Sequence, residues 1–175
     1  MRDTRPEAAD YNQYYRGYVD LVPDGDIVET LGSQWAQTRA LLDSVPADRE
    51  EYRYAPGKWS LREVVGHLID VERMFAFRSL WIARAAEDAQ PGMDQDAWAA
   101  LSNAGSRPLA DLTNEWAGLR NTNLDLFGSF DDEAWMRTGV ASGFEVRMRA
   151  LPWIVAGHEL YHRSLLKRDY LEGGA

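Results

Sequence analysis

Apolar side chains recur at steps of three or four residues in four long stretches of the chain, which is the spacing of amphipathic helices. Pro46 ends the first stretch. Ser60 and Glu63 form a capping-box pattern that predicts the start of the second helix, which we expect to cover about residues 61–86. The apolar positions of these two helices are Ile27, Val28, Leu31, Trp35, Leu41, Leu42 and Val45, then Val64, Leu68, Val71 and Phe75.

Two further helices are predicted in the second half of the chain. Pro108 suits a first helical turn, where its missing N–H costs nothing, and that helix ends near Gly128. The last helix ends at Gly173 and Gly174. The apolar positions are Leu109, Leu112, Trp116, Leu119, Leu126 and Phe127, followed by Leu151, Ile154, Val155, Leu165 and Leu166. Four amphipathic helices in a row predict an all-α fold, a four-helix bundle.

Three segments fall outside these helices. Residues 87–108 form a long connection between the second and third helices, rich in Pro, Gly, Asp and Ser, with one short helical turn around Trp98. Residues 131–148 contain two glycines among short apolar pieces; we favour a loop with some extended backbone over a small hairpin. Residues 1–25, rich in tyrosine, are expected to pack as an arm across one end. We expect one domain over residues 1–175.

The charge and composition of the chain exclude several classes of function. Lys and Arg number 19 against 28 Asp and Glu, a net charge of −9, which argues against binding nucleic acid. The chain has no cysteine, so a disulfide, a thiolate metal site and a cysteine nucleophile are excluded, and any thiol must be external. No apolar run resembles a signal peptide or a membrane span. We therefore expect a cytoplasmic protein that acts on a small-molecule substrate, without a membrane or nucleic-acid partner.

The three histidines of the chain all lie on the apolar stripes of predicted helices. His67 follows Val64 by three residues, and His158 and His162 are four residues apart, so their imidazoles share one face of the last helix. A third imidazole from a facing helix completes a neutral three-nitrogen set that suits zinc, nickel, copper or iron. The alternative is three hydrogen-bonded core histidines without a metal. The pattern favours a divalent metal site formed by His67, His158 and His162.

The segment HELYH, from His158 to His162, is also the zinc-protease helix motif, with Glu159 in the place of the general base. The commonest proteases of this kind have their third ligand well downstream, and no suitable residue follows here, so a peptidase is disfavoured. Glu159 remains a candidate catalytic residue that reaches a metal-bound water. The alternative for Glu159 is a solvated carboxylate on the helix surface.

Two further polar residues are candidates for the surroundings of the site. Asp70 follows His67 by three residues, where it can accept the second ring N–H of a ligand histidine. A pairing of Asp70 with Arg73 or Lys58 is the alternative. Asn123 lies on the apolar stripe of the third helix, where its amide either lines a pocket or makes a core hydrogen bond.

Several segments of the chain resemble the DinB-like superfamily, close to its YfiT-like branch. The similar segments are YNQYYRGYVDLVPDGDIVETL, YRYAPGKWSLREVVGHLIDVERMFAFR, RPLADL and AGHELYHRSLL. The resemblance implies an up-down-down-up four-helix bundle, often dimeric, that holds nickel or zinc by histidines matching His67, His158 and His162. Tyr161 departs from the pattern, because similar sequences often carry another histidine there.

The resemblance also implies a class of activity. Characterised members include bacillithiol S-transferases and mycothiol-dependent isomerases, and many others are named as metal-dependent hydrolases. We therefore expect a divalent metal that activates a water or an external low-molecular-weight thiol, in a hydrolase or a thiol S-transferase that forms a homodimer. The alternative is a metal-binding stress-response or binding module without turnover. An open coordination position, which accepts added thiol or azide, distinguishes the two.

Overall fold

The computed structural model describes residues 1–173, and most of them are helical. The elements are α1 (Arg16–Val19), α2 (Ile27–Asp43), α3 (Leu61–Ala83), α4 (Gln95–Leu101), α5 (Leu109–Gly128), α6 (Asp132–Met136), β1 (Thr138–Ala141), β2 (Phe144–Arg147) and α7 (Ala150–Leu165). A π-helical segment, Leu166–Glu172, continues α7. The four long helices α2, α3, α5 and α7 are the four that the hydrophobic pattern predicts. Within residues 1–173 no helix is long and apolar enough to cross a membrane.

Side-chain caps begin α2 and α3. The carboxylate of Asp26 accepts hydrogen bonds from the amides of Val28 and Glu29 at the start of α2. At the start of α3 the Ser60 amide donates to Glu63 Oε2 over 2.6 Å and the Glu63 amide donates to Ser60 Oγ over 3.3 Å. The predicted capping box is therefore confirmed.

Contacts between the long helices define their order and direction. Each of α2 and α3 packs against both α5 and α7, so α2 and α3 lie diagonally across the bundle. Helix α2 runs parallel to α7 and antiparallel to α5, and α3 runs antiparallel to α7, which gives the expected up-down-down-up arrangement. The contacts that show this are Gln34–Ala156, Thr38–Glu159, Leu31–Arg120, Trp35–Trp116, Trp59–Tyr170 and His67–His158.

The two long connections differ in how well their structure was predicted. Helix α4 confirms the short helical turn in the connection before α5. The preference for a loop over residues 131–148 is wrong, because this segment forms the short helix α6 and an antiparallel hairpin of β1 and β2. Ser142 and Gly143 join the strands with φ of 55° and 80°. Two consecutive left-handed residues make the tight turn that matches the twist of paired strands.

The predicted N-terminal arm reaches the middle of α7. Helix α1 packs along α7 at Gly157, where the chains approach so closely that a Cβ at position 157 would lie 2.0 Å from the carbonyl oxygen of Tyr18. Asp10 ties the same segment to α7, because its Oδ2 accepts a hydrogen bond of 2.7 Å from Arg149 Nε. The arm therefore holds Tyr18 next to the C-terminal helix.

We predict that Gly157→Ala lowers the free energy of unfolding by about 2 kcal/mol or more, because the new methyl group forces the backbone of α1 away from α7. Urea denaturation measures the change. Gly118→Ala is the matched control: Gly118 lies on the exposed side of α5 with no atom close to its missing Cβ. That variant should gain up to about 1 kcal/mol of stability. Equal effects of the two substitutions would contradict the close packing of α1 on α7.

Candidate metal centre

Three histidine rings meet in the core between α3 and α7. His67 comes from α3, while His158 and His162 come from successive turns of α7. One ring nitrogen of each lies within 4.8 Å of the corresponding nitrogens of the other two. The Nε2 atoms of His67 and His158 are 3.2 Å apart. The structure therefore brings together the three side chains that the sequence predicts as ligands.

Burial keeps these imidazoles neutral near pH 7. Burial lowers the pKa of His67 to about 4, against a weaker opposing effect of Asp96. Burial, with a smaller contribution from His67, lowers the pKa of His162 to about 3. The pKa of His158 is far below its usual range, first through burial and then through the two neighbouring rings. Neutral imidazole is the form that binds a metal ion.

The donor set fits a divalent ion. Within residues 1–173, the buried Nδ1 atoms of His67 and His162 have no hydrogen-bond partner. The Nε2 atoms of His67 and His158 instead face each other across 3.2 Å, as ring nitrogens that share one bound ion do. No carboxylate belongs to the cluster found in this part of the chain. The site therefore offers neutral nitrogen ligands, which suit zinc or nickel.

Asp70 and Asn123 lie outside the cluster. Asp70 Oδ1 is 3.8 Å from Arg73 Nη1, as one of its two alternatives predicts, and it does not accept a bond from His67 Nδ1. The prediction that Asp70 orients a ligand histidine is thus wrong. Asn123 Nδ2 donates to Glu72 Oε1 over 3.1 Å, so its amide makes a core hydrogen bond instead of lining a pocket.

Glu159 belongs to a buried charged network that it forms with residues of α2 and α5. Its Oε2 accepts from Arg120 Nη2 over 2.8 Å and its Oε1 accepts from Thr38 Oγ1 over 2.5 Å. Glu159 is only 1% exposed, so the prediction of a solvated surface carboxylate is wrong. Both oxygens are held by residues of α2 and α5, whereas the cluster lies between α3 and α7. We therefore do not retain Glu159 as the general base.

Glu72 and Arg120 form the centre of this network. Arg120 donates from Nε and Nη2 to the two oxygens of Glu72 over 2.8 and 2.7 Å, and from Nη1 to the Leu31 carbonyl over 2.9 Å. Burial alone would raise the pKa of Glu72, but the charge and hydrogen bonds of Arg120 outweigh it and lower that pKa. Neither residue of this pair was predicted from the sequence. The sequence does contain a signal for it. Glu72 follows Leu68 by four residues and Arg120 follows Trp116 by four, so each charged residue lies on the apolar stripe of its helix.

Cavities reach the histidines from two sides. An inner cavity of about 120 Å³ has His67 and His158 in its wall. A cleft of about 560 Å³ has His162 in its wall. The linings of both contain Tyr14 and Tyr18 from the N-terminal arm. A small molecule can therefore approach the cluster along the arm. From the sequence, the tyrosines of this arm were expected only to pack against the bundle.

Tyr18 is the arm residue in direct contact with the cluster. Its ring meets the His158 ring edge to face, with centroids 5.3 Å apart. Burial, followed by the effect of Tyr14, raises the pKa of Tyr18 to about 12. The hydroxyl therefore keeps its proton at neutral pH and remains a hydrogen-bond donor next to the site.

We predict that the metal-free protein loses stability as the pH falls from 7.5 to 5.5. The unfolded histidines bind protons with a pKa near 6.5, whereas the folded pKa is about 4 for His67 and about 3 for His162. The stability that these groups contribute is thus present above pH 6.5 and is lost on acidification, by about 1.4 kcal/mol per histidine at pH 5.5. Denaturation of the wild type and of His67→Gln at both pH values measures it. The variant should lose less, and an identical loss would contradict a buried neutral His67.

The family of the chain follows from a match that spans the bundle. The sequence model of the DinB superfamily matches residues 30–166, a range that contains all three histidines. The chain belongs to the DinB superfamily. No curated protein matches it in sequence.

Solved structures share the fold of this DinB-superfamily chain. YfiT from Bacillus subtilis, described as a probable metal-dependent hydrolase with an unusual four-helix bundle topology, has a TM-score of 0.65 and 17% identity, over 95% of this chain and 93% of its own. The mycothiol-dependent maleylpyruvate isomerase has a TM-score of 0.68 and 12% identity, over 83% of this chain and 59% of its own. The chain thus matches little more than half of the isomerase. At these identities the likeness establishes the fold, the expected four-helix bundle.

Proposed function

We propose that this protein is a metal-dependent enzyme that holds zinc or nickel with His67, His158 and His162 and acts on a small molecule. The observation that carries the proposal is the cluster of three buried, neutral imidazoles with cavities on two sides. A divalent ion with three neutral ligands keeps its full charge and lowers the pKa of a water or thiol in its remaining position, which supplies a nucleophile at neutral pH.

Within this function we favour an external low-molecular-weight thiol over water as the nucleophile. Hydrolysis benefits from a base that takes the proton of the water, and Glu159 is held by Arg120 and Thr38. Among the described residues, no carboxylate lines the inner cavity, and Asp96, which lines the cleft at His162, acts on His67 only through its charge. A thiol has a pKa of about 8.5, so it would ionise without a general base at a metal held by the three histidines. A fold neighbour that is mycothiol-dependent also supports a thiol.

The surroundings of the histidines support chemistry on an organic substrate. Val71, Met74 and Ile154 form an apolar wall of the inner cavity, against which the carbon atoms of a substrate can pack. Tyr18, whose ring contacts His158 and whose hydroxyl keeps its proton, is the candidate hydrogen-bond donor to a group that gains negative charge. In the proposed reaction the thiol gives up its proton to solvent and its sulfur attacks an electrophilic carbon of the substrate. A carbon–sulfur bond forms, and the leaving group departs with the electron pair of the bond that it made to that carbon.

The experiment compares ligand binding and turnover in the cobalt-substituted protein. Addition of 2-mercaptoethanol should produce a sulfur-to-cobalt charge-transfer band, and azide should shift the d–d bands, because one coordination position is open. The zinc or nickel protein should then accelerate conjugation of the thiol to 1-chloro-2,4-dinitrobenzene more than hydrolysis of 4-nitrophenyl acetate. Bound metal with neither spectral change would favour the non-catalytic module. Ester hydrolysis without thiol conjugation would favour the hydrolase.

The homodimer and the cytoplasmic location expected from the sequence stay predictions. Light scattering on the purified protein tests the homodimer, and cell fractionation tests the location. The proposed chemistry needs neither, because every residue assigned to the site comes from one chain.

A further inference from the structure

Arg78 is a buried cation without an acidic partner, and it lies beside the histidine cluster. It is 2% exposed, and no carboxylate within residues 1–173 forms an ion pair with it. Arg120, the other deeply buried arginine of α3 and α5, is paired with Glu72 and Glu159. A buried charge without a counter-ion is costly. Arg78 is therefore not a member of a buried ion pair, as Arg120 is.

Neutral groups hold the Arg78 guanidinium in place. Its Nη2 donates to the Pro91 carbonyl over 2.5 Å and to Ser142 Oγ over 3.0 Å, and the Tyr15 hydroxyl is a further hydrogen-bond partner. The guanidinium lies 5.3 Å from the centroid of the Phe75 ring. These contacts fix the orientation of the group but do not neutralise it. A guanidinium carries more N–H donors than they use, so donors remain for a ligand.

The position of Arg78 connects two cavities. It lines the inner cavity together with His67 and His158, and it also lines an outer cavity of about 330 Å³ that the hairpin covers. Glu145 is the acid found in the outer lining; it is exposed and makes no ion pair with Arg78. A ligand that enters from the hairpin side therefore meets an uncompensated positive charge before it reaches the histidines.

The cavity that Arg78 shares with His67 and His158 suits a small organic acid. Arg78 follows His67 by eleven residues on α3, an axial separation of about 16 Å between their Cα atoms. The Arg78 guanidinium lies beside the Phe75 ring, three residues nearer to His67, because helical side chains lean toward the N-terminus. Val71, Met74 and Ile154 belong to the same lining. The site thus joins a cation, an apolar wall and a metal-ligand set in one cavity.

We propose that Arg78 binds the carboxylate of a small organic acid whose apolar body lies along this wall and whose other end reaches the histidines. The inference rests on the proposed function for the role of the histidines, but the binding of the carboxylate does not require a metal. The carboxylate belongs either to the electrophilic substrate or to the thiol, and the two sources are separated below.

The first experiment uses the metal-free protein. Calorimetry measures the binding of hexanoate and of hexanamide, which have the same size but differ in charge. Wild type should bind hexanoate at least tenfold more tightly. Arg78→Met should remove that preference, and Arg78→Lys, which keeps the charge, should retain part of it. Arg84→Met is the matched control at the exposed end of α3 and should bind like wild type.

Three outcomes would overturn the proposal. They are equal affinity of the wild type for hexanoate and hexanamide, no binding of either at 10 mM, and an unchanged preference in folded Arg78→Met. If Arg78→Met does not fold, the proposal is tested by the affinities of the wild type and of Arg78→Lys for hexanoate and hexanamide. Because the protein contains no metal in this experiment, failure of the proposed enzymatic function would leave its result standing.

A second experiment, on the cobalt-substituted protein, separates the two sources of the carboxylate. If the thiol carries it, 6-mercaptohexanoate should bind at least tenfold more tightly than both hexanoate and 6-mercaptohexanol, because one molecule then occupies Arg78 and the metal. If the electrophile carries it, hexanoate and 6-mercaptohexanol should bind at the same time without competition. Competition between hexanoate and 6-mercaptohexanol, without a gain for 6-mercaptohexanoate, would contradict a carboxylate at Arg78 in the substrate site.

Discussion

Replacement of Arg120 by methionine should lower the free energy of unfolding by about 3–5 kcal/mol, because it leaves two buried carboxylates without a counter-charge. Arg120 donates to both Glu72 and Glu159, and these three side chains are between 1% and 3% exposed. Methionine fills a similar volume, so the loss reflects the charge and not a cavity. Guanidinium chloride denaturation at pH 7.5 measures the change.

Two controls show whether the buried charge is responsible. Arg39→Met removes an exposed arginine that pairs with Asp43 one turn away, and it should cost less than about 0.5 kcal/mol. The triple variant Arg120→Met, Glu72→Gln, Glu159→Gln removes all the charges and should recover part of the stability lost in the single variant. A single variant as stable as Arg39→Met would contradict the network, and so would a triple variant less stable than the single one.

The bundle itself was predictable because its four long helices are amphipathic and two of them, α2 and α3, begin with side-chain caps. Ser60 and Glu63 predicted the start of α3, and the sequence motifs that carry the resemblance implied the up-down-down-up order before any contact was known. The hairpin was not predicted, since its strands are four residues each and its turn depends on Ser142 adopting a left-handed conformation. A non-glycine residue rarely does so, and the sequence alone does not reveal it.

The charged network escaped prediction for a different reason. A charged residue on the apolar stripe of a helix needs a partner in the core. Helical periodicity shows which face of the helix is buried, but it does not show which residue of another helix lies against that face. Glu72 and Arg120 are 48 positions apart in the chain, and Glu159 is 39 positions from Arg120. Only the arrangement of the four helices brings them together, so Glu159 was assigned from its neighbour His158 instead of from its true contacts.

The histidine cluster was found because its pattern is local and its residue type is rare. Two of the three ring positions are one helical turn apart, and the chain has no further histidine to compete with them. The lining of the cavities was not found, because Tyr15, Tyr18 and Arg78 come from the arm and from a helix position eleven residues beyond His67. Their place depends on how the arm packs against α7, which a periodicity argument does not address.

Replacement of His158 by alanine should weaken zinc binding by at least about a hundredfold. His158 lies closest to both neighbours in the cluster, 3.2 Å from His67 between Nε2 atoms and 4.5 Å from His162 between ring centroids. Structural zinc sites bind with about 10–16 kcal/mol, so the loss of one of the three ligands removes several kcal/mol. Competition with a chelating dye measures the affinity, and thermal unfolding gives an independent measure.

The thermal measurement links metal binding to the fold. Zinc at a hundred times its dissociation constant stabilises the folded protein by about 2.7 kcal/mol, and His158→Ala should lose this gain.

Asp70→Asn is the matched control, because Asp70 lies near Arg73 and makes no contact with a ring nitrogen. Its zinc affinity should stay within about twofold of wild type. If Asp70→Asn weakened zinc binding as much as His158→Ala, the Asp70 carboxylate would orient one of the ligand histidines after all. Unchanged affinity in His158→Ala would place the metal outside the cluster.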